Sequence, residues 1–359
     1  MHNELIVAGL LAAAFSAAAQ SPQELNNSGA RLYSAGRYAE AEAQYKRALA
    51  AWEKTPDARG QARTMNNLAT AYRALGRFDE AEALYRKSFE LSGNANTLSN
   101  LAELYRVRGD KKRAEKTARE AVATAVPESP DAASALHTLA AVRRDQGRAA
   151  EALDLYARSR EILEKAGGPR DPGVGRNLAN VAELLGSQGR WSEAEQAARR
   201  ALAIASSDAD TAQAANNLAQ TLRFQKRYKE AETLYGQALE AYQRSFGPGH
   251  PDIARVLGNL AGLHHDRGQE PRAAALYTRA VAILEKALGP ANAETALMRT
   301  RLADVRRAQG HYAEALKLYR GSVAAIENSL GPSDARALAA SASFAQTAAR
   351  AQQFTIAAR

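Results

Sequence analysis

A short turn phrase recurs along the chain at nearly constant spacing. The phrases GRY, GRF, RGD, QGR, QGR, QKR, RGQ and QGH are centred on Gly36, Gly76, Gly109, Gly147, Gly189, Lys226, Gly268 and Gly310. The steps between these centres are 40, 33, 38, 42, 37, 42 and 42 residues, and one further step of 42 reaches Gln352 in RAQQF. Such periods are typical of a stacked supersecondary unit and not of a single compact core. We call these nine positions the turn positions and number the units one to nine.

Two stripes of side chains follow each turn position. Alanine stands five residues after every one, at Ala41, Ala81, Ala114, Ala152, Ala194, Ala231, Ala273, Ala315 and Ala357. Aromatic residues recur two residues after it, at Tyr38, Phe78, Trp191, Tyr228, Tyr312 and Phe354, and nine after it, at Tyr45, Tyr85, Tyr156, Tyr235, Tyr277 and Tyr319. Offsets of two and nine differ by two helical turns, so those residues share one helix face. A stripe of small side chains beside a stripe of large aromatic side chains predicts closely packed antiparallel helices.

The segment before each turn position has its own buried stripe. A small residue lies seven residues before the turn, at Gly29, Ala69, Ala102, Ala140, Ala182, Ala219, Ala261, Ala303 and Ala345, usually after a leucine. Helix-forming residues dominate the sequence, which contains only 11 prolines. The expected fold is therefore all-α, with two helices per unit.

With this register the chain resembles the tetratricopeptide repeat, and HPDIARVLGNLAGLHHDRGQEPRAAALYTRAVAILEKALGP is similar to the longer, 42-residue variant of kinesin light chains. The resemblance covers about residues 23–354. It implies a right-handed superhelical α-solenoid of about eight helix-turn-helix units and a truncated ninth capping unit, whose helix is expected near 334–350. The units are expected near 23–55, 59–92, 94–126, 130–166, 171–206, 208–246, 251–288, 292–330 and 334–359.

Glycine and proline separate the units, most clearly at Gly168-Pro169, Gly247-Pro248, Gly289-Pro290 and Gly331-Pro332. Each glycine is expected to end a helix in a left-handed cap, since proline cannot continue the helix. The loop before unit seven contains His250-Pro251-Asp252, which is typical of a helix start with Asp252 close to the cap.

In solenoids of this kind the first helices line the concave surface, where a partner would bind. Asparagine recurs there nine residues before the turn, at Asn27, Asn67, Asn100, Asn180, Asn217 and Asn259. Asparagines can pair with the backbone of an extended peptide, or can bond to a neighbouring helix and fix the repeat spacing. We call Asn67, Asn100, Asn180, Asn217 and Asn259 the asparagine ladder.

Arginines flank the asparagine ladder on the same helices. Arg63, Arg176 and Arg255 lie thirteen residues before the turn, and Arg73, Arg106, Arg144, Arg223 and Arg307 lie three residues before it. Guanidinium groups suit carboxylates, so these residues and the ladder predict a groove for an acidic peptide or an exposed carboxyl terminus. The alternative is a solvated face whose charges are neutralised by Glu103, Glu183 and Asp304.

Nothing in the sequence favours catalysis, a cofactor or a metal. The chain has no cysteine, and His264-His265 are adjacent in a predicted helix and so point in directions too different to share a metal. The glycines are spaced as turns and form no phosphate-binding motif, and no nucleophile-elbow spacing is present. The sequence therefore predicts a non-catalytic scaffold for protein or peptide partners, with self-association left open.

Charge and the amino-terminal segment bear on the partner. The chain has 48 Lys and Arg against 39 Asp and Glu, a net charge of +9. A basic surface favours acidic protein segments or, as the alternative function, nucleic acid and other polyanions. The apolar run from Leu5 to Ala19, ending in three alanines, predicts a signal peptide over residues 1–19, and hence export to a periplasm or to the outside, which disfavours nucleic acid. An atypical start, with His2 and Glu4, leaves a cytoplasmic location as the alternative.

Overall fold

In the computed structural model, residues 20–54 and 57–357 are described, and within them the chain is helical without strands. Residues 1–19, over which a signal peptide is predicted, and the 55–56 boundary lie outside the described residues. The helices are α1 (Pro22–Ser34), α2 (Tyr38–Trp52), α3 (Ala58–Ala74), α4 (Phe78–Ser92), α5 (Ala95–Val107), α6 (Lys111–Thr124), α7 (Pro130–Asp145), α8 (Ala149–Gly167), α9 (Pro172–Ser187), α10 (Trp191–Ile204), α11 (Asp208–Phe224), α12 (Tyr228–Phe246), α13 (Pro251–Asp266), α14 (Glu270–Leu288), α15 (Ala293–Ala308), α16 (Tyr312–Leu330) and α17 (Ala335–Ala357). None of the helices in this part of the chain combines the length and apolar character that crossing a bilayer requires.

The turn positions join the two helices of each unit. All seven turn glycines before unit nine have positive φ, from +68° at Gly268 to +81° at Gly109, and Lys226 adopts the same conformation at +63°. Positive φ reverses the chain within two or three residues, which folds α1 back on α2, α3 on α4 and so on to α15 on α16. The repeat predicted from the turn phrases is confirmed in units one to eight.

The small and large stripes form the core between helices. Every alanine five residues after a turn, from Ala41 to Ala315, is at most 1% exposed. The tyrosines four residues further on are also buried, with Tyr85, Tyr156, Tyr235 and Tyr319 fully enclosed. Small side chains let the backbones approach closely while the tyrosine rings fill the neighbouring space, as the stripes predicted.

Curvature places the first helices on the inner side of the stack. Successive first helices pack on each other, for example α5 on α7 and α9 on α11, whereas successive second helices do not pack at a comparable level in the described residues. Elements that approach each other more closely lie on the concave side of a curved stack. The inner face is therefore lined by α1, α3, α5, α7, α9, α11, α13, α15 and α17.

Unit nine departs from the predicted register. The predicted turn at Gln352 is absent, because α17 runs without interruption from Ala335 to Ala357. Ala345, expected in the buried stripe, is exposed, and Ala337 and Ala340 are buried instead. No glycine is available at position 352 to reverse the chain, so α17 packs as one long helix over α16. The side chain of Ala357 lies outside the described part.

One detail of the helix ends was also predicted wrongly. Gly168, Gly247, Gly289 and Gly331 have φ between +80° and +91° but ψ between 152° and 175°, which is the extended positive-φ region and not a left-handed cap. At the start of α13 the cap is His250, whose ring nitrogen Nδ1 accepts a hydrogen bond of 3.2 Å from the Asp252 amide, so Asp252 lies close to the cap as predicted.

Candidate functional site

The asparagine ladder lies on the inner face and bonds mainly between units. Asn67 donates to Asn26, Asn100 to Asn66 and Asn259 to Asn216, each at 3.0 Å. Asn180 bonds the His137 ring at 2.8 Å in the same way. In all four cases the partner lies ten residues before the turn of the preceding unit. The regular register indicates that these amides hold neighbouring first helices together, and their contact with a partner stays a prediction.

The ladder is interrupted between units five and six. Ala179 occupies the position ten residues before the turn of unit five and has no polar atom to accept a bond from Asn217. Asn217 instead accepts a bond of 3.3 Å from Asn216 of its own helix. Its side chain lines a cavity of about 570 Å³ whose wall includes Trp191 and Phe224.

This cavity lies where unit five has no arginine three residues before its turn. Gly186 stands there, and a Cβ at Gly186 would lie 3.1 Å from the Trp191 ring. The Trp191 and Phe224 rings stack with centroids 5.4 Å apart, and Phe224 is 52% exposed. Trp191 and Phe224 therefore form an apolar recess among the polar side chains of the inner face.

Most of the predicted arginines that flank the asparagine ladder are neutralised by acidic residues of the protein itself. Arg106 pairs with Glu103 and with Asp145, both at 2.6 Å, and Arg144 pairs with Asp145 at 3.1 Å and Glu183 at 3.2 Å. Arg73 lies 3.7 Å from Glu103. These residues form a chain of alternating charges across units two to five. A guanidinium group that is already paired within the chain has little attraction left for a ligand carboxylate.

The remaining predicted arginines divide into paired and unpaired groups. Arg223 pairs with Asp266 at 2.6 Å, Arg307 with Asp304 at 2.8 Å, and Arg255 with Asp252 and, at 3.4 Å, Glu294. Arg63 is bonded to Gln23, and Arg176 is exposed and makes no ion pair among the described residues. The thirteen predicted positions thus lie on the first helices, but most already have partners within the chain.

Burial and charge act in opposite directions on this network. Burial alone would raise the pKa of Glu103, but the hydrogen bond and charge of Arg106, with the charge of Arg73, hold it below its ordinary value. Burial would lower the pKa of Arg106, and Glu103 and Asp145 together raise it. Both groups therefore stay ionised at neutral pH, which keeps the network intact.

Uncompensated positive charge is concentrated at the carboxyl-terminal end of the inner face. A cavity of about 490 Å³ between units seven, eight and nine is lined by three arginines, Arg301, Arg307 and Arg350, against one carboxylate, Asp304. His265 and Tyr277 complete its polar wall. Asp304 is occupied by Arg307 and by the Tyr319 hydroxyl, which donates to it at 2.6 Å.

Arg301 and Arg350 are the two guanidinium groups of this cavity without an acidic partner. Both are exposed, and neither lies within ion-pair distance of a carboxylate in the described residues. Burial holds the pKa of Tyr277, which lines the same cavity, above its ordinary value, and the positive charges of Arg301 and Arg223 oppose that shift. We call the cavity that Arg301, Arg307 and Arg350 line the arginine cavity.

Sequence reasoning missed Arg301 and Arg350. Arg301 stands nine residues before the turn of unit eight, where the ladder has asparagine in most units, and Arg350 lies in the ninth unit, whose register was wrong. The usable signal was the substitution itself, since an arginine replacing a ladder asparagine removes an inter-unit bond and adds a charge at an inner position.

Two family profiles, both described as tetratricopeptide repeat, match this chain, the first over residues 21–94, 131–207 and 210–286, the second over 94–126 and 295–335. The chain belongs to the tetratricopeptide-repeat family. A search of curated protein sequences finds no significant match.

The likeness of this chain to solved structures concerns the fold alone, and it rests on the first of the three structures that follow. The hetero-tetramer Cut9-Hcn1 of the APC/C matches over 90% of this chain and 55% of its own, with a TM-score of 0.57 and 12% identity. BtubC (BKLC) from P. vanneervenii matches over 61% and 89%, with a TM-score of 0.47 and 23% identity. A putative kinesin light chain from Podosopora anserina matches over 53% and 95%, with a TM-score of 0.42 and 22% identity. This chain thus spans about half of the Cut9-Hcn1 chain that it matches.

Membership of the tetratricopeptide-repeat family supports a role in protein–protein interaction. Proteins of this family are generally non-catalytic scaffolds, and the inner face of this chain offers hydrogen-bonding, apolar and charged surface to a partner.

Proposed function

We propose that this protein is a scaffold that holds an extended, acidic polypeptide segment against its inner face, with carboxylates of the segment bound in the arginine cavity. The observation that carries the proposal is that Arg301 and Arg350 face one concave space without an acidic partner. Two guanidinium groups about a shared space favour carboxylates because each can donate paired hydrogen bonds.

The charge distribution supports this position over the rest of the groove. In units two to five the inner arginines are paired with Glu103, Asp145 and Glu183, so an incoming carboxylate would have to displace an existing partner. At Arg301 and Arg350 of the arginine cavity it would have no carboxylate to displace. The apolar recess at Trp191 and Phe224 lies two units away, where an extended segment bound along the inner face could place an apolar side chain.

Fluorescence anisotropy with a labelled glutamate-rich peptide tests the proposal. Arg301→Gln combined with Arg350→Gln is expected to weaken binding by about tenfold, since two charge-assisted contacts are lost. Arg272→Gln combined with Arg279→Gln is the matched control, because it removes the same charge from exposed positions on α14, a second helix of the neighbouring unit.

Two results would overturn the proposal. One is equal loss of affinity in both double variants, which would indicate attraction by net charge alone. The other is equally strong, steeply salt-dependent binding of a single-stranded oligonucleotide through the same arginines, which would identify a general polyanion site instead.

We further propose that the protein is exported through the apolar segment 5–19, which ends in three alanines. Fusion of residues 1–25 to a reporter that is active only after export tests this proposal. An inactive reporter, with the fusion retained in the cytoplasm, would contradict it.

A further inference from the structure

The last three units of the stack contact its first three units. The turn of unit one meets the start of α13, the turn of unit two the start of α15, and the turn of unit three the start of α17. Each contact is offset by six units, so units seven to nine lie against units one to three. We call this line of three contacts the seam.

The three seam contacts lie at equivalent helix ends. The backbone carbonyls of Ala74 and Val107 accept hydrogen bonds of 3.2 Å from the side chains of Asn292 and Arg336, respectively. The His250 ring lies beside the turn that follows Ser34, since a Cβ at Gly36 would lie 2.9 Å from its Cδ2 atom and 3.4 Å from its Nε2 atom. Ser34, Ala74 and Val107 are the last residues of α1, α3 and α5. Carboxyl ends of inner helices therefore face amino ends of other inner helices, an arrangement that the helix dipoles favour.

The surroundings of the turn glycines distinguish the seam units from the other units. A Cβ at Gly36 would lie 2.7 Å from Pro251, one at Gly76 3.4 Å from Asn292 and one at Gly109 3.3 Å from Asp334. At the turn glycines of units four, five, seven and eight, nothing lies within 4 Å. Among the turn glycines, the close approach is thus confined to the three units that the seam register pairs.

Apolar side chains make further contacts across the seam. Tyr38 of unit one packs against the apolar cluster of units five to eight, and Phe78 of unit two belongs to one cluster with Leu330 and Ala337 of units eight and nine. Cavities of about 410 Å³ remain beside the first two contacts. The seam is therefore less tightly filled than the helix pairs within a unit.

Opening the seam would leave no buried polar group without a partner. The Nδ1 atom of His250 would keep its bond from the Asp252 amide, and Asn292 would keep its bond of 2.9 Å from the Glu294 amide, because these caps belong to their own helices. The freed carbonyls lie at helix ends, where water can reach them. The helix pairs on both sides of the seam would keep the cores within their own units.

We propose that the seam is a clasp that opens and closes reversibly and admits a partner segment sideways to the inner face. The closed seam completes the wall around that face, so a segment held between two folded domains can enter only when the seam parts. This loading role rests on the proposed function, whereas the opening itself does not.

Spin-label distance measurement tests the opening. The chain has no cysteine, so Ala39→Cys with Lys286→Cys places two labels on exposed residues of one seam cavity. A short distance with a minor longer population is expected. Asn292→Asp keeps the cap acceptor but removes the donor to Ala74, and should raise the long-distance fraction about fivefold or more.

Two matched controls accompany this measurement. Asn94→Asp changes an equivalent helix cap outside the seam and should leave the seam distance unchanged. Labels at Glu164→Cys and Arg200→Cys, whose native side chains pair at 2.6 Å between units four and five, should show one distance in every background. A single short seam distance in both wild-type and Asn292→Asp backgrounds would overturn the clasp.

Locking the seam tests the loading role. A short bismaleimide joining Cys side chains introduced by A39C and K286C should abolish capture of the glutamate-rich peptide when a folded domain flanks it on each side, and spare the same peptide with free ends. Equal capture of the flanked peptide by locked and unlocked protein would overturn lateral loading. Failure of both forms to bind the free peptide would instead count against the proposed function, and the spin-label distances would still decide the clasp.

Discussion

Lys226 occupies a turn position that is glycine in the other seven units described with a turn. Its φ of +63° lies in the left-handed region, which a residue with a Cβ adopts at a cost of about 1–2 kcal/mol. The unit nevertheless keeps the same reversal as its neighbours, because the packing of α11 on α12 fixes the path of the chain. Tertiary contacts therefore override local preference at this residue.

We expect Lys226→Gly to raise the free energy of unfolding by about 0.5–1 kcal/mol, since it removes the strain but makes the unfolded chain more flexible. Urea denaturation followed by circular dichroism measures the change. Gly189→Ala is the opposite control, because a Cβ there would touch nothing within 4 Å and only the φ of +73° opposes it. A destabilised Lys226→Gly variant would show that the lysine side chain makes a contribution of its own.

Two helices of the inner face depend on a neutral histidine. His250 caps α13, and His137 on α7 bonds Asn180 on α9. Burial lowers the pKa of each ring to about 4, and the positive charges of Arg255, near His250, and of Arg176, near His137, act in the same direction, although Glu103 opposes the shift at His137. Protonation of either ring nitrogen that accepts a bond would remove that bond.

This predicts a loss of stability in mild acid. The unfolded chain takes up protons at an ordinary histidine pKa of about 6.5, whereas the folded chain does so near 4. The free energy of unfolding should therefore be full above about pH 6.5 and fall as the pH is lowered towards 4. Urea midpoints between pH 7 and pH 5 measure this, because carboxylates such as Glu103, with a lowered pKa, lose their contribution only in stronger acid.

The matched variant is His250→Asn combined with His137→Gln, which keeps polar side chains that cannot titrate. Its urea midpoint should change less between pH 7 and pH 5 than that of the wild type. An equally steep dependence in the variant would assign the acid sensitivity to other groups.

At the scale of the whole molecule, the two ends of the stack have different caps. The first unit begins with a capping box at Ser21 and Glu24, whereas the last is a single helix, α17, laid over α16. Phe344 of α17 lies 6.4 Å from the Tyr319 ring, and Arg336 supplies the third seam contact. The terminal helix therefore covers the apolar end face and joins the last seam contact.

Removing residues 335–359 should lower the melting temperature by several degrees and increase binding of a hydrophobic dye, because solenoid end faces need a polar cover. The truncated protein is also expected to form oligomers through the exposed end, which size-exclusion chromatography with light scattering would detect. A monomer with unchanged melting would show that α17 is dispensable for the stack.

The sequence by itself determined the repeat, the helix pairs and the buried alanine and tyrosine stripes, because each depends on side chains close in sequence and repeated in register. It also placed the thirteen candidate asparagines and arginines on the inner helices. It could not show that the Arg106 and Arg223 guanidinium groups are neutralised from the next unit, nor that Ala179 and Gly186 leave a recess. Those outcomes depend on which side chains of neighbouring units meet.

Only the tertiary structure decided the position of the arginine cavity and the existence of the seam. Arg301 and Arg350 are far apart in sequence and meet because α15 and α17 lie side by side on the inner face. The seam joins residues more than 200 positions apart, such as Ala74 and Asn292. Its register is set by the sum of small rotations over six units, and no local pattern of residues specifies that sum.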